Sequence, residues 1–217
     1  MERSLEMSSE NSAGPIRLIV TLGLAGLFSG LVIVSVFLAT QPLIKKNQEE
    51  ALQAAIYRVL PGSETRKIFI EKDGKLAEAD SSEGIEAIYA GYNSSGKLVG
   101  YGIPSAGSGF QDTINLIYGY NPFEKKVIGM QVLESRETPG LGDKIIKDLD
   151  FLDNFTALEV EPEILAVASG TKTKANEVDS ISGATISSKA VTKIINQGNQ
   201  KWKKLIDEKT ESEGQAE

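Results

Sequence analysis

Residues 67–79 read Lys-Ile-Phe-Ile-Glu-Lys-Asp-Gly-Lys-Leu-Ala-Glu-Ala, two strand-like runs on either side of Asp73-Gly74. An Asp-Gly pair accepts the positive φ that a two-residue hairpin turn demands, so the stretch predicts strands at 67–72 and 75–79 paired antiparallel. The pattern recurs downstream. Runs at 85–92 and 97–103 flank Asn93-Ser-Ser-Gly96, and runs at 112–120 and 126–133 flank Asn121-Pro122. A sheet built from consecutive hairpins is antiparallel, and it needs helices to cover it. Segments near 143–149 and 187–206 supply part of that cover. In the second of these, Val191, Ile194, Ile195, Trp202, Leu205 and Ile206 fall mostly at helical spacing. The fold class is therefore α+β, a mostly antiparallel sheet packed by helices, with no internal repeat.

Composition narrows the chemistry. The 217 residues include no Cys and no His. Iron–sulfur clusters need thiolates, and structural zinc takes Cys and His, so most protein-bound metal centres are excluded, and no metal ligands are assigned. Any general base must be Asp, Glu, Lys or Tyr. An electron carrier of this composition would use an organic cofactor. The net charge of −7 argues against a nucleic-acid partner, which calls for a basic patch.

Residues 18–44 carry no charge, and their apolar heart is 18–39. A helix needs about 20 apolar residues to cross roughly 30 Å of hydrocarbon, so this segment predicts a single transmembrane anchor. A cleaved signal peptide fits poorly: the run is too long, and no small-x-small cleavage site follows. Gly23, Gly26 and Gly30 lie at helical spacing and would let another membrane helix approach closely, although glycine is common in such helices anyway. Arg3 and Arg17 precede the span while Lys45 and Lys46 follow it, so charge alone does not orient it. A further helix is expected at 46–60, ended by Pro61-Gly62, with Leu52, Ala55, Ile56, Val59 and Leu60 on one face. The polar, Glu-rich tail at 207–217 is expected to be disordered.

Two stretches carry candidate chemistry. Asp179-Ser-Ile-Ser-Gly-Ala-Thr185 brings a hydroxyl, Thr185, to the start of the helix at 187–206 on a run of small residues. A helix N-terminus offers free N–H groups and a partial positive charge, which suit a phosphate. The plainer reading makes Ser182, Thr185 or Ser187 an N-cap. Glu137-Thr-Pro-Gly-Leu-Gly142 reads as a loop, because Thr138-Pro139 resists helix and the two glycines permit close approach of a ligand. Here the plainer reading is an ordinary turn before the helix at 143. Gly107-Ser-Gly-Phe110 reads as a wide turn whose glycines would admit a ligand chain. Phe155 and Trp202 read as core, and Lys172, Lys174 and Lys189 as solvated.

Asp179, Ser182, Gly183, Ala184 and Thr185 resemble the flavinylation motif of the FMN-binding domain family. Together with Glu137–Ile145 and Gly107–Phe110, they closely resemble the G subunit of the Rnf ion-translocating electron-transport complex, over about residues 18–206. The C subunit of the Na+-translocating NADH:quinone reductase shares the domain and is the nearby alternative. A more distant one is an anchored extracytoplasmic binding module without flavin. Ser135 departs from the pattern, standing where many Rnf members have His.

The resemblance implies FMN joined covalently, through its phosphate, to Thr185 by a separate flavin transferase that uses FAD. Ser182, Gly183 and Ala184 would form the approach, Glu137, Thr138, Leu141 and Gly142 would contact the flavin ring, and Asp179 would be read by the transferase. It also implies residues 1–17 as a short cytoplasmic tail, 18–44 as the anchor in the cytoplasmic (inner) membrane, and 45–206 as an extracytoplasmic FMN-binding domain. The partners implied are the other membrane and redox subunits of a translocase that couples ferredoxin/NAD electron transfer to Na+ or H+ movement. The chain would be an electron-carrier subunit with no catalytic residues and no complete active site of its own.

Overall fold

The structure, a computed structural model, describes residues 14–82 and 85–214. Most of the short N-terminal tail and the last residues of the C-terminal tail lie outside the described residues. Two compact units are distinguished, one up to Glu49 and one from Glu50 onward.

The described part of the first unit, apart from Gly14, belongs to one helix that extends into the second unit. Helix α1 runs Pro15–Val59, and it contains a stretch long and apolar enough to cross a membrane, with a mean hydropathy of 2.4. The apolar segment at 18–44 and the helix expected at 46–60 form one continuous helix. Lys45 and Lys46 change the polarity of the surface without interrupting the hydrogen-bond ladder, and Pro42 is accommodated inside the helix.

In the second unit the hairpins form as the turns dictate. Strands β1 (Thr65–Lys72) and β2 (Lys75–Ala79) pair antiparallel across Asp73 and Gly74, both at positive φ. Strands β3 (Ala87–Tyr92) and β4 (Leu98–Ser108) close over Asn93, whose carboxamide oxygen accepts from the Ser95 and Lys97 amides. Strands β5 (Thr113–Asn121) and β6 (Lys126–Ser135) pair in turn, and β4 also pairs with β5. With the short β7 (Leu158–Glu159) the order is β2-β1-β3-β4-β5-β6-β7, antiparallel throughout. Gly107 and Ser108, expected in a turn, belong to β4; the turn is confined to 109–112, where the Gly109 amide bonds the Asp112 carbonyl at 2.8 Å.

The single helix expected at 143–149 is two short ones, α2 (Lys144–Lys147) and α3 (Leu149–Asp153). Asp148 between them is extended, and its side chain caps α3 by accepting from the Phe151 amide. A small parallel pair, β8 (Leu165–Val167) and β9 (Glu177–Asp179), was not foreseen. Helix α4 runs Thr185–Gly214, so residues 207–214 continue it rather than forming the expected disordered tail. Ion pairs at helical spacing, Lys203–Asp207 and Lys204–Glu208, carry it past Ile206, and no strong breaker comes before Gly214.

Alternation along the strands sends side chains to two cores. Phe69, Ile88, Tyr101, Ile103 and Tyr118 pack with Val191, Ile194, Ile195, Trp202 and Ile206 of α4, and Phe155 joins the same core. Ile68, Tyr89 and Ile117 pack with Ala55, Ile56, Val59 and Leu60 at the end of α1. On that side Gly119 and Gly129 let backbone meet backbone. A Cβ at Gly119 would collide with the Val59 carbonyl oxygen, and one at Gly129 would lie 2.9 Å from the Val59 Cα.

Candidate functional site

The start of α4 is built by a tight turn. The Ala184 amide bonds the Ile181 carbonyl at 2.9 Å across Gly183, whose φ of 82° suits glycine. Ser188 locks the turn: its hydroxyl accepts from the Ile181 amide and donates to the Ala184 carbonyl, at 3.1 and 3.0 Å. None of the three cap candidates, Ser182, Thr185 or Ser187, does this work. Thr185 is exposed, opens α4, and among the described residues its hydroxyl has no hydrogen-bond partner. The first N–H groups of α4 likewise have no partner inside the helix and carry its positive end.

Beside it lies a buried carboxylate. Glu137 accepts from the Phe110 and Gln111 amides at 2.8 and 3.0 Å through one oxygen, and from the Ser187 hydroxyl at 2.5 Å through the other. Only 5% of the residue is exposed. Two glycines make room for it. A Cβ at Gly109 would collide with one carboxylate oxygen, and a Cβ at Gly142 would sit 2.5 Å from the other. These glycines, read from sequence as openings for a ligand, enclose an internal side chain. Burial pushes the Glu137 carboxyl pKa up; the bonds from the Ser187 hydroxyl and from the Gln111, Phe110 and Asp112 amides outweigh burial and hold it below the usual glutamate value.

The loop around Glu137 is braced at both ends. Ser135, at the position where the resemblance pattern has His, accepts from the Glu137 amide at 3.2 Å. Thr138 donates its hydroxyl to the Gln111 side chain, and the Gly140 amide bonds Asp143 at 2.7 Å. Asp143 is in turn paired with Lys147.

These contacts wall a depression of about 340 Å³. Glu137, Thr138, Leu141 and Gly142 form one side; Gly183, Ala184 and Thr185 form another, together with Ile186 and Ser187. Phe110 completes it. Phe110, Leu141 and Ile186 are large apolar side chains left 64%, 51% and 57% exposed. Exposed apolar surface beside an unpartnered hydroxyl and free helix amides fits a flat aromatic ring carried on a phosphate. The sequence placed Phe110 in a turn but did not single out Ile186 or Ser188; nothing in their local spacing sets them apart from other first-turn residues.

Two expected residues lie elsewhere. Ser182 and Asp179 line a separate groove of about 500 Å³, with Lys144, Asp148, Ser169 and Ser180 among its other residues. The Asp179 carboxylate accepts from the Thr171 and Lys172 amides, both at 3.1 Å, so it steers the turn before β9. Its own amide donates to Asn154, as does the Lys172 ammonium, a binding role for Asn154 that the sequence did not signal. Among the described residues no group of three or more His, Cys, Asp or Glu is placed to hold a metal ion.

Residues 109–200, which span the Phe110 turn, the Glu137 loop and the start of α4, match the model of the FMN-binding domain. The G subunit of the Na+-translocating ferredoxin:NAD+ oxidoreductase complex of Acetobacterium woodii is 31% identical over 73% of this chain and 72% of its own length. The G subunit of the ion-translocating oxidoreductase complex of Methanosarcina acetivorans is also 31% identical, over 82% of this chain and 89% of its own. Among solved structures, NqrC of Shewanella oneidensis has the same fold, with a TM-score of 0.60 at 18% identity, over 74% of this chain and 97% of that one. At these identities and coverages the chain belongs to the family of G subunits of Rnf-type ion-translocating oxidoreductase complexes.

Proposed function

We propose that this chain is the membrane-anchored flavoprotein subunit of an Rnf-type complex, an electron carrier that holds FMN through its phosphate on Thr185. The observation that carries the reading is the Thr185 hydroxyl, exposed and unpartnered at the first residue of α4, beside a depression lined by both motifs. The relatives' names, G subunits of ferredoxin:NAD+ and ion-translocating oxidoreductases, support the same role.

When bound, FMN supplies the redox chemistry; the protein supplies tether, orientation and surroundings. Thr185 is the tether, and Gly183 and Ala184 keep side-chain bulk low on the approach to it. Phe110, Leu141 and Ile186 give a ring apolar surface to lie against, with Thr138 and Gly142 in the same walls. Electrons enter from one neighbouring subunit and leave to another by close approach, so the chain acts within an oxidoreductase without a complete active site of its own. The assembled translocase couples electron transfer between ferredoxin and NAD to movement of Na+ or H+. Residues 18–44 anchor the protein in the cytoplasmic membrane, with the domain from 45 onward on the outer side. A flavin transferase matures it, reading Asp179 with the rest of the motif.

Intact mass of the full chain, expressed with and without a flavin transferase, tests the reading. One FMN should be gained only with the transferase and should survive denaturation; an unchanged mass would leave an anchored binding module. A reporter fused after Glu217 should work only if it functions outside the cytoplasm, and activity of a cytoplasm-only reporter there would reverse the topology. The rival role, that of the C subunit in the NADH:quinone reductase, draws on the fold of NqrC, but identity is 18% there against 31% for two G subunits.

A further inference from the structure

We propose that Glu137 is a latch and not a flavin contact: its buried carboxylate clamps the 109–111 turn and the first turn of α4 to its own loop, and so fixes the seat in which the flavin ring lies. The inference rests on the flavin reading above for its consequence, but the latch itself stands on the geometry.

Each wall of the depression comes from a different part of the chain. Phe110 stands on the β4–β5 turn, Leu141 on the loop after β6, and Ile186 on α4. Strand pairing stops short of the first two, β4 at Ser108 and β6 at Ser135, and the third lies on a helix. Glu137 is what joins them. One oxygen holds the Phe110 and Gln111 amides, and the other holds Ser187, which is 50 residues away in sequence. Each of these bonds is made to another group of the same chain. Gly109 and Gly142 are packed against the same carboxylate so closely that a Cβ at either would displace it. A side chain with both oxygens so engaged has little capacity left for a ligand; its effect passes through the groups it holds.

The consequence concerns mobility. A flavin tethered only at Thr185 would swing about several rotatable bonds, and preformed walls remove that freedom. Glu137 is thus a positioning residue. Gln at this position keeps the clamp without the charge: its carbonyl oxygen can accept from both amides, and its NH2 can donate to Ser187.

The full chain in detergent, matured with a flavin transferase, would be compared as wild type, Glu137→Ala, Glu137→Gln and Ser187→Ala. Hydrogen exchange reads the latch whether or not flavin is present. Glu137→Ala should speed exchange at the amides of 110 and 111 by about tenfold or more, with the β1–β3 strands unchanged. Fluorescence anisotropy of the attached flavin reads the seat. It should fall in Glu137→Ala, fall less in Ser187→Ala, and stay near wild type in Glu137→Gln, all with flavin attached. Unchanged exchange at 110 and 111 in Glu137→Ala would overturn the latch, as would Glu137→Gln behaving like Glu137→Ala. Faster exchange with unaltered anisotropy would overturn the positioning role. A wild-type chain without flavin would count against the proposed function instead, and exchange would still decide the latch.

Discussion

Two carboxylates on this domain do the same job in different surroundings. Glu137 and Asp179 each accept two consecutive backbone amides, those of Phe110 and Gln111 in one case and of Thr171 and Lys172 in the other. Glu137 is buried, takes a third donor from Ser187, and is closed in by two glycines. Asp179 is half-buried at the edge of an open groove, and Thr171 and Lys172 are exposed. The difference lies in what replaces the acid when it is lost. Water can reach the Asp179 turn, whereas the Ser187 hydroxyl, buried beside Glu137, would be left in protein without its acceptor. Each opens one of the two stretches that carry candidate chemistry, but only the Glu137 side shapes the depression beside Thr185.

The largest expected effect separates the two sides outright. Thr185→Ala should abolish flavin attachment, leaving no fluorescent band on a denaturing gel, while Ser182→Ala, on the Asp179 side, should leave the band in place. Labelling carried by Ser182 in the Thr185→Ala chain would mean that the two depressions are interchangeable, and the contrast would collapse.

Stability should follow the same divide. Glu137→Ala leaves the buried Ser187 hydroxyl without its acceptor and should cost about 2 kcal/mol, seen as a fall in Tm of several degrees. Gly142→Ala should cost a comparable amount, about 1–3 kcal/mol, because its new Cβ meets the Glu137 carboxylate. The two losses should not add. Once Glu137 is Ala, the nearest clash partner, its carboxylate oxygen, is gone, while the Cβ of residue 137 and the Ser187 hydroxyl oxygen still crowd the new methyl, so a double-mutant cycle should show coupling of about 0.5 kcal/mol or more. Additive losses would show that Gly142 is needed for some reason other than making room for the acid. Asp179→Ala should cost less than about 1 kcal/mol, since water takes over its two amides. If the same variant is also labelled poorly by the transferase, Asp179 is read as part of the motif; near-wild-type labelling would leave it only the turn-steering role.

The smallest effect is the dependence on pH. The Glu137 carboxyl titrates lower in the folded chain than the usual value of about 4.3 expected unfolded. Its contribution is therefore fully present above that value and is lost as pH falls through the folded pKa. Thermal unfolding of wild type and Glu137→Gln between about pH 6 and pH 3 should show the variant with the shallower acid limb. Parallel curves would mean that the charge of Glu137 adds nothing beyond its hydrogen bonds.

The sequence alone determined what depends on near neighbours. Asp73-Gly74 fixes a hairpin because only its own backbone angles are involved, and residues 18–44 declare a helix long and apolar enough to cross a membrane through their length and lack of charge. The start of α4 at Thr185 was legible too, because small residues and the onset of helical periodicity meet there. The tertiary structure decided what depends on residues far apart. The break at Asp148 and the reach of α4 to Gly214 turn on side-chain caps and ion pairs that outweigh a polar composition. The clamp between Glu137 and Ser187 exists only because the strand order brings the β4–β5 turn, the loop after β6 and α4 to one place. Gly109 and Gly142 illustrate the limit: their letters announce that something must come close, and only packing reveals that it is a carboxylate of the same chain. Local geometry is written in adjacent residues, whereas a buried polar contact depends on every element that carries its partners there.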